Sequence, residues 1–322
     1  MAQLVEIESP ATRAPAVEPT RRAHVAAAML LLATVAWGFG FTWAKASQTT
    51  INTHLGLAPD ASFGPLIVLA ARFLVAGLVL LVVVPSARRG WSLRGFGYAA
   101  ILGSMLGVGM ILQHLGLART SEAVAAFLTS LTILFVPILM TVALRRPPAP
   151  IFWVAVLLAT LGVWLMTGAT PGGFGIGELF GVGCAIVFSV YLITTNAIIP
   201  RDDAWRMTVG MFVIAGLLTL LACAFVPHGA SRDSLALVRD PRVMVNFLLL
   251  VLFPTIFSYA VMNLYQPRLD PTRAALIYLM EPIFASVYAW AARGATLTMT
   301  AILGAALILT ANALVEFLSS RR

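Results

Sequence analysis

Apolar runs long enough to cross a lipid bilayer recur ten times along this 322-residue chain, at 25–46, 65–84, 96–117, 121–144, 150–168, 176–199, 206–226, 243–266, 272–292 and 297–318. A helix needs about 20 predominantly apolar residues to span the hydrocarbon core. None of the runs alternates as a transmembrane strand would, so helices are the spanning element. The breaks between them are short and carry turn or charge signals: Arg88-Arg89-Gly90, Arg145-Arg146-Pro147-Pro148, Pro171-Gly172-Gly173 and Pro200-Arg201-Asp202-Asp203. Two are longer, around 52–64 and 228–242. The expectation is an all-α integral membrane protein of ten transmembrane helices.

Composition supports this. The chain is 60% hydrophobic and 11% charged, against about 25% charged in soluble domains. Its 34 charged residues (21 basic, 13 acidic) are too few to cover a water-exposed surface. A soluble enzyme, a nucleic-acid binder or a disulfide-stapled secreted domain does not fit. Cys184 and Cys223 lie inside apolar runs without companions at ligand spacing, so they are core residues and no metal is expected. Residues 1–24, which include Pro10, Pro15 and Pro19, have the composition of a disordered tail. The run from Val25 ends in aromatics without a small-residue cleavage site, as a retained span does.

Basic residues set the orientation. With ten spans the two termini share a side. That side receives fourteen arginines, from Arg13, Arg21 and Arg22 through Arg88, Arg89, Arg145 and Arg146 to Arg321 and Arg322. The other side receives Arg119, Arg232, Arg239, Arg242 and Arg293, with Lys45 at the end of the first span. The net charge of +8 is thus a topology signal, and it places both termini of this multi-pass protein in the cytoplasm.

The chain also repeats itself. The segment 71–78, Ala-Arg-Phe-Leu-Val-Ala-Gly-Leu, resembles 210–217, Gly-Met-Phe-Val-Ile-Ala-Gly-Leu; Ala125-Ala126-Phe127-Leu128 resembles Ala274-Ala275-Leu276-Ile277. These pairs set spans one to five (25–168) against spans six to ten (176–318), joined by 169–175 and followed by a short tail, 319–322. Five is odd, so the second copy enters the membrane from the opposite face. Such inverted repeats are the architecture of secondary transporters.

Several segments resemble the drug/metabolite transporter superfamily, in its branch of ten-helix permeases built from two EamA repeats. They are Ala36-Trp37-Gly38, Arg72-Phe73, the stretch 120–131 and, most specifically, Pro271-Thr272-Arg273-Ala274-Ala275-Leu276-Ile277-Tyr278-Leu279-Met280-Glu281-Pro282-Ile283-Phe284-Ala285. The likeness covers roughly 25–318. It implies an inner-membrane permease, often an exporter, for small organic solutes such as amino acids, metabolites or drugs. Where family repeats often carry a Glu after the fourth and ninth helices, this chain has Arg145-Arg146 and Arg293-Gly294, so no role of that Glu is carried over.

Two ionisable residues lie well inside spans, where each costs about 2.5–3.5 kcal/mol on insertion scales. Glu281 is a candidate proton carrier; alternatively it satisfies polar groups freed by Pro282, which has no N–H to give the carbonyl of Tyr278. Arg72 is a candidate for an anionic substrate group, or a structural partner of Glu281 or of backbone carbonyls. Gln113 and His114 near the end of the third span, with Tyr259, Asn263 and Gln266 in the eighth, suit a cavity between the repeats, and His114 aligns with Asn263. The other reading is interhelical hydrogen bonding. Trp37, Phe41 and Trp43 are candidates for stacking on a substrate, or for packing and interfacial belts. Gly103, Gly107, Gly109, Gly177 and Gly181 have the spacing of close helix contacts. The run Gly172-Gly173-Phe174-Gly175-Ile176-Gly177 follows a membrane helix rather than a strand and reads as a hinge. No phosphate-binding Gly-Lys-Ser/Thr accompanies it, so no nucleotide cofactor is expected.

Three function classes follow. A secondary transporter with a small-molecule substrate, driven by protons or by the solute's own gradient, fits best. An intramembrane enzyme would need paired acids, clustered histidines or a Ser–His couple, and the acidic doublet Asp202-Asp203 sits instead in a turn between arginines. A receptor or scaffold would normally carry a sizeable soluble domain. Neither substrate identity nor the number of subunits is encoded in a legible motif.

Overall fold

The computed structural model describes residues 20–120, 122–142, 145, 147, 149–167, 175–227, 239–293 and 298–319. The expected tail up to residue 19, the inter-repeat stretch 168–174, most of the long 228–242 connection and the last three residues lie outside the described residues. Those described form ten membrane helices in thirteen α-helical pieces. The first repeat comprises α1 (Thr20–His54), α2 (Phe63–Val83), α3 (Leu93–Arg119), α4 (Glu122–Ser130) with α5 (Thr132–Val142), and α6 (Pro150–Thr167). The second comprises α7 (Ile176–Ile198), α8 (Ala204–Cys223), α9 (Pro241–Leu250) continued through a π-helical stretch into α10 (Ser258–Tyr265), α11 (Pro271–Tyr278) with α12 (Glu281–Arg293), and α13 (Met299–Ser319). Among the described residues, seven helical segments are long and apolar enough to cross a membrane, and Pro150–Leu165 and Met299–Leu314 are shorter apolar helices. The first helix starts at Thr20, so residues 20–24 are helical rather than tail.

Local signals explain the helix starts. Ser92 caps α3 by accepting from Gly95 N, and Asp203, Asp240 and Asp270 cap α8, α9 and α11 in the same way. The doublet Asp202-Asp203 is therefore a structural turn: Asp203 caps the helix, while Asp202 pairs with Arg206.

Corresponding helices of the two repeats meet in antiparallel pairs. On α2, Gly77 packs against Val213; on α8, Gly216 packs against Leu74. Residues 77 and 216, like 74 and 213, are equivalent in the repeat alignment, so the two contacts are one contact seen twice about a pseudo-two-fold axis. The rings of Phe73 and Phe212, also equivalent, face each other across it with centroids 5.5 Å apart. A side chain at either glycine would hold the helices apart. Helices α6 and α13 form the second like-with-like pair, touching where Gly162 lies under the carbonyl of Gly304. Opposed insertion is thus visible in the packing itself.

The two repeats also break at the same place. The fourth and ninth helices, expected to run unbroken over 121–144 and 272–292, are each interrupted midway. One turns at Leu131, the other at Leu279–Met280. In the ninth, Pro282 removes the donor that would carry the ladder through. The eighth helix deforms to π over Val251–Phe257, around Pro254. Hydrophobic residues such as Leu78, Val82, Leu157, Trp164 and Leu221 are exposed around the rim, which places the lipid-facing surface there.

Candidate substrate cavity

A cavity of about 120 Å³ lies between the repeats, against the breaks in the fourth and ninth helices. Its walls come from both halves of the chain: Trp37, Gly40, Phe41 and Ala44 of α1, Arg72 of α2, Met110, Gln113, His114 and Leu117 of α3, Thr129, Ser130, Thr132 and Ile133 around the first break, Phe188, Tyr191 and Leu192 of α7, Pro254, Tyr259, Met262 and Gln266 of the eighth helix, and Ala275, Tyr278, Leu279 and Glu281 around the second break.

The α1 wall depends on Gly38. A β-carbon there would sit 2.8 Å from the carbonyl oxygen of Glu281 and 2.9 Å from Ala285 N, so only glycine lets α1 cross α12 at this depth. The crossing projects Trp37 into the cavity. Its indole Nε1 donates to Pro254 O at 2.9 Å, and Tyr259 and Tyr278 meet it edge-on, with centroids 5.4 and 5.2 Å away. Tyr278 in turn donates to Gln266 Oε1 (2.8 Å), while Gln266 Nε2 donates to Leu192 O (3.0 Å) and Asn196 Oδ1 (2.6 Å). This buried network holds the aromatic wall rigid.

Arg72 reaches the cavity from α2. Its Nε donates to Thr255 Oγ1 at 2.5 Å, and its guanidinium lies 5.4 Å from the Phe73 ring centre. Thr255 itself donates to Leu250 O at 2.7 Å, the carbonyl that Pro254 cannot serve. The π-helical deformation thus supplies a properly oriented acceptor for a buried arginine. Among the described residues, no ion pair joins Arg72 to Glu281 and no hydrogen bond involves the Glu281 carboxylate. Glu281 opens α12, lining the cavity directly after the break.

The other expected site residues separate. Gln113 lines the cavity and donates from Nε2 to Thr129 Oγ1 at 3.3 Å. His114 lines it with Nδ1 buried and unpartnered among the described residues; Tyr259 lines it and donates to Met110 Sδ at 3.4 Å. Asn263 does not line the cavity. It donates to Thr208 Oγ1 (2.8 Å) and contacts Met211 Sδ (3.6 Å) inside the packed interface with α8, because its helix turns that face toward α8. Phe41 is on the wall, whereas Trp43 points away and donates to the Tyr288 hydroxyl. Four residues that the sequence did not single out belong to the site: Phe188, Tyr191, Tyr278 and Thr255.

Comparison with known proteins agrees with this architecture. Residues 24–168 and 175–317 each match the model of the EamA-like transporter family. Over 255 residues the chain is 24% identical to a protein of Archaeoglobus fulgidus named an uncharacterised transporter, covering 79% of this chain and 78% of that one. A protein of known crystal structure shares the fold with a TM-score of 0.69 at 18% identity, over 92% of this chain and 98% of the other. Two matched repeats, inverted about the axis through Phe73 and Phe212, make this chain a member of the EamA-like transporter family, within the drug/metabolite transporter superfamily.

Proposed function

We propose that the protein is a secondary transporter that exports a small organic solute by exposing the central cavity alternately to the two sides of the inner membrane, with both termini in the cytoplasm. The observation that carries this reading is the pair of helix breaks at equivalent positions, Leu131 and Leu279–Met280, both against the cavity. Broken helices at a repeat interface let each half swing without tearing a continuous ladder, and they expose polar groups where a solute rests. Residues Trp37, Gln113, His114, Tyr259 and Arg72 form the binding wall, and Glu281 carries the coupling proton. A carboxyl group that faces the cavity without a fixed partner can exchange its proton with whichever side the cavity faces. Asn263 has a positioning role at most, through α8.

Proteoliposomes test the reading. Solute uptake is followed with an imposed pH gradient and, separately, as counterflow between equal proton concentrations. Glu281→Gln is expected to reduce gradient-driven accumulation at least tenfold while counterflow continues. Equal loss of both, with the protein still folded, would remove Glu281 from the coupling role. No solute flux above empty liposomes across amino acids, drugs and sugars would sink the transporter reading as a whole.

A further inference from the structure

Arg72 is 3% exposed and His114 is 2% exposed, yet both line the cavity and both have unspent hydrogen-bonding capacity. Of the five guanidinium N–H donors, only the Nε proton has a protein acceptor among the described residues, Thr255 Oγ1. The two Nη groups are left to the cavity, and His114 lines the same cavity with Nδ1 buried and unpartnered among the described residues. The repeat symmetry explains the orphaned histidine. Its equivalent, Asn263, donates to Thr208, whereas the residue equivalent to Thr208 is Leu69, which offers no acceptor. His114 and Arg72 line the same cavity, and their equivalents in the second repeat, Asn263 and Met211, lie 3.6 Å apart. Burying a cation and a polar ring with so many unmet donors is unfavourable unless a ligand completes them.

We infer that Arg72 and His114 form an anion subsite for a solute carrying one carboxylate, with Thr255 as the residue that aims the arginine fork. This rests on the transporter reading of the cavity. A planar carboxylate matches the two Nη donors side by side, and the imidazole of His114, on the same cavity wall, adds a polar edge to it. One negative charge neutralises Arg72; a phosphate dianion would leave surplus negative charge in a cavity that also holds Glu281. The remaining walls are Trp37, Phe188, Tyr259 and Tyr278. A cavity of about 120 Å³ suits a single ring or a short branched chain, since benzene occupies an engineered cavity of about 150 Å³. The solute class is therefore a small aromatic or branched-chain carboxylate.

The test is equilibrium binding to the full chain in nanodiscs, using benzoate and its uncharged counterpart benzamide. Benzoate is expected to bind saturably and at least tenfold more tightly than benzamide. Arg72→Met, which installs the residue present at the equivalent position of the second repeat, should abolish that preference. Thr255→Val should weaken benzoate about tenfold by freeing the guanidinium to rotate, and Thr255→Ser should restore it. Equal affinity of wild-type protein for benzoate and benzamide overturns the proposal without reference to any variant. So does unchanged benzoate binding in folded Arg72→Met. The outcomes also separate from those of the transport assay. Charge-selective binding without flux of any solute would remove the transporter function and keep the subsite. Glu281-dependent flux indifferent to solute charge would do the reverse.

Discussion

The two repeats are alike where helices touch and unlike where they line the cavity. Contacts that hold the scaffold recur: Gly77 on Val213 answers Gly216 on Leu74, and the break at Leu131 answers the one at Met280. Even the ties at the ends of the cavity correspond. Lys45 Nζ donates to Thr120 O (2.9 Å) and Leu117 O (2.6 Å); at the opposite end, Asn196 Nδ2 donates to Leu269 O (2.7 Å). Residues 120 and 269 are equivalent, so each tie fastens the first helix of a repeat to the carboxyl end of its third. The cavity chemistry, by contrast, belongs to one repeat at a time. Arg72 faces Thr255, while their equivalents Met211 and Leu106 are both fully buried and apolar. Glu281 answers to Thr132, and His114 to Asn263. Duplication gives a frame that works from either side, and divergence inside it gives the cavity one cationic and one acidic wall. Swapping residues between repeats is then the direct way to break the comparison.

The largest effect is expected where even the scaffold is not interchangeable. Ser189 on α7 lies opposite the first break, 3.4 Å from Thr132 O, and donates to Ala185 O at 2.7 Å. Gly38 holds the matching place on α1 against Glu281. Gly38→Ser should destabilise the protein by about 1–3 kcal/mol, because its β-carbon would meet backbone rather than a movable side chain. Ser189→Ala, which leaves the β-carbon in place, should cost less than about 1 kcal/mol. Thermal unfolding in detergent measures both. Equal effects would show that the two crossings are equally tight, contrary to the geometry.

The ties come next. Lys45 is charged and reaches two carbonyls; Asn196 is neutral and shares its amide oxygen with Gln266. If the ties hold the two ends closed, Lys45→Ala should raise the labelling rate of a cysteine placed at Leu117 by roughly tenfold, with no rise at a cysteine placed at Gln266. Asn196→Ala should do the opposite, by a smaller factor. Cys184 and Cys223 are both buried, and both are replaced beforehand so that only the introduced thiol reports. Labelling that rises at both ends in either variant would mean that the ties stabilise the bundle as a whole and do not act as separate latches.

How far the sequence anticipates all this depends on contrast with an apolar background. Ten helices are legible because bilayer thickness imposes a length on every apolar run. Arg72 and Glu281 stand out because a charge within such a run is rare. Threonine is common in membrane helices, so Thr255 carries no mark until Arg72 is seen to donate to it. Phe188, Tyr191 and Tyr278 look like any core or lipid-facing aromatic, since which face of a helix turns inward is decided by neighbours far away in sequence. The break at Leu131 has no proline at the spot; Pro137 lies downstream, and only the match with Leu279–Met280 shows its meaning. Asn263 errs in the other direction. It aligns with His114, but α8 offers Thr208 where α2 has Leu69, and that difference draws it into packing.

The glycines of α3 extend the same lesson to the smallest effect. Gly103, Gly107 and Gly109 were legible as contact residues, and each is one: added β-carbons would meet Ile214, Leu218 and Phe188 at 2.7, 3.1 and 2.5 Å. Gly97 shares their helix, but a β-carbon there meets nothing within 4 Å, and its equivalent in the second repeat is Asn246. No packing requires glycine at that position, and an interior helical glycine carries an entropic cost that alanine lacks. Gly97→Ala should therefore stabilise the protein by about 0.5–1 kcal/mol and leave flux unchanged. A loss of stability instead would mean that this face of α3 is covered in the membrane, by lipid held in one conformation or by a second copy of the chain. Crosslinking from a cysteine at Gly97 would distinguish those two coverings.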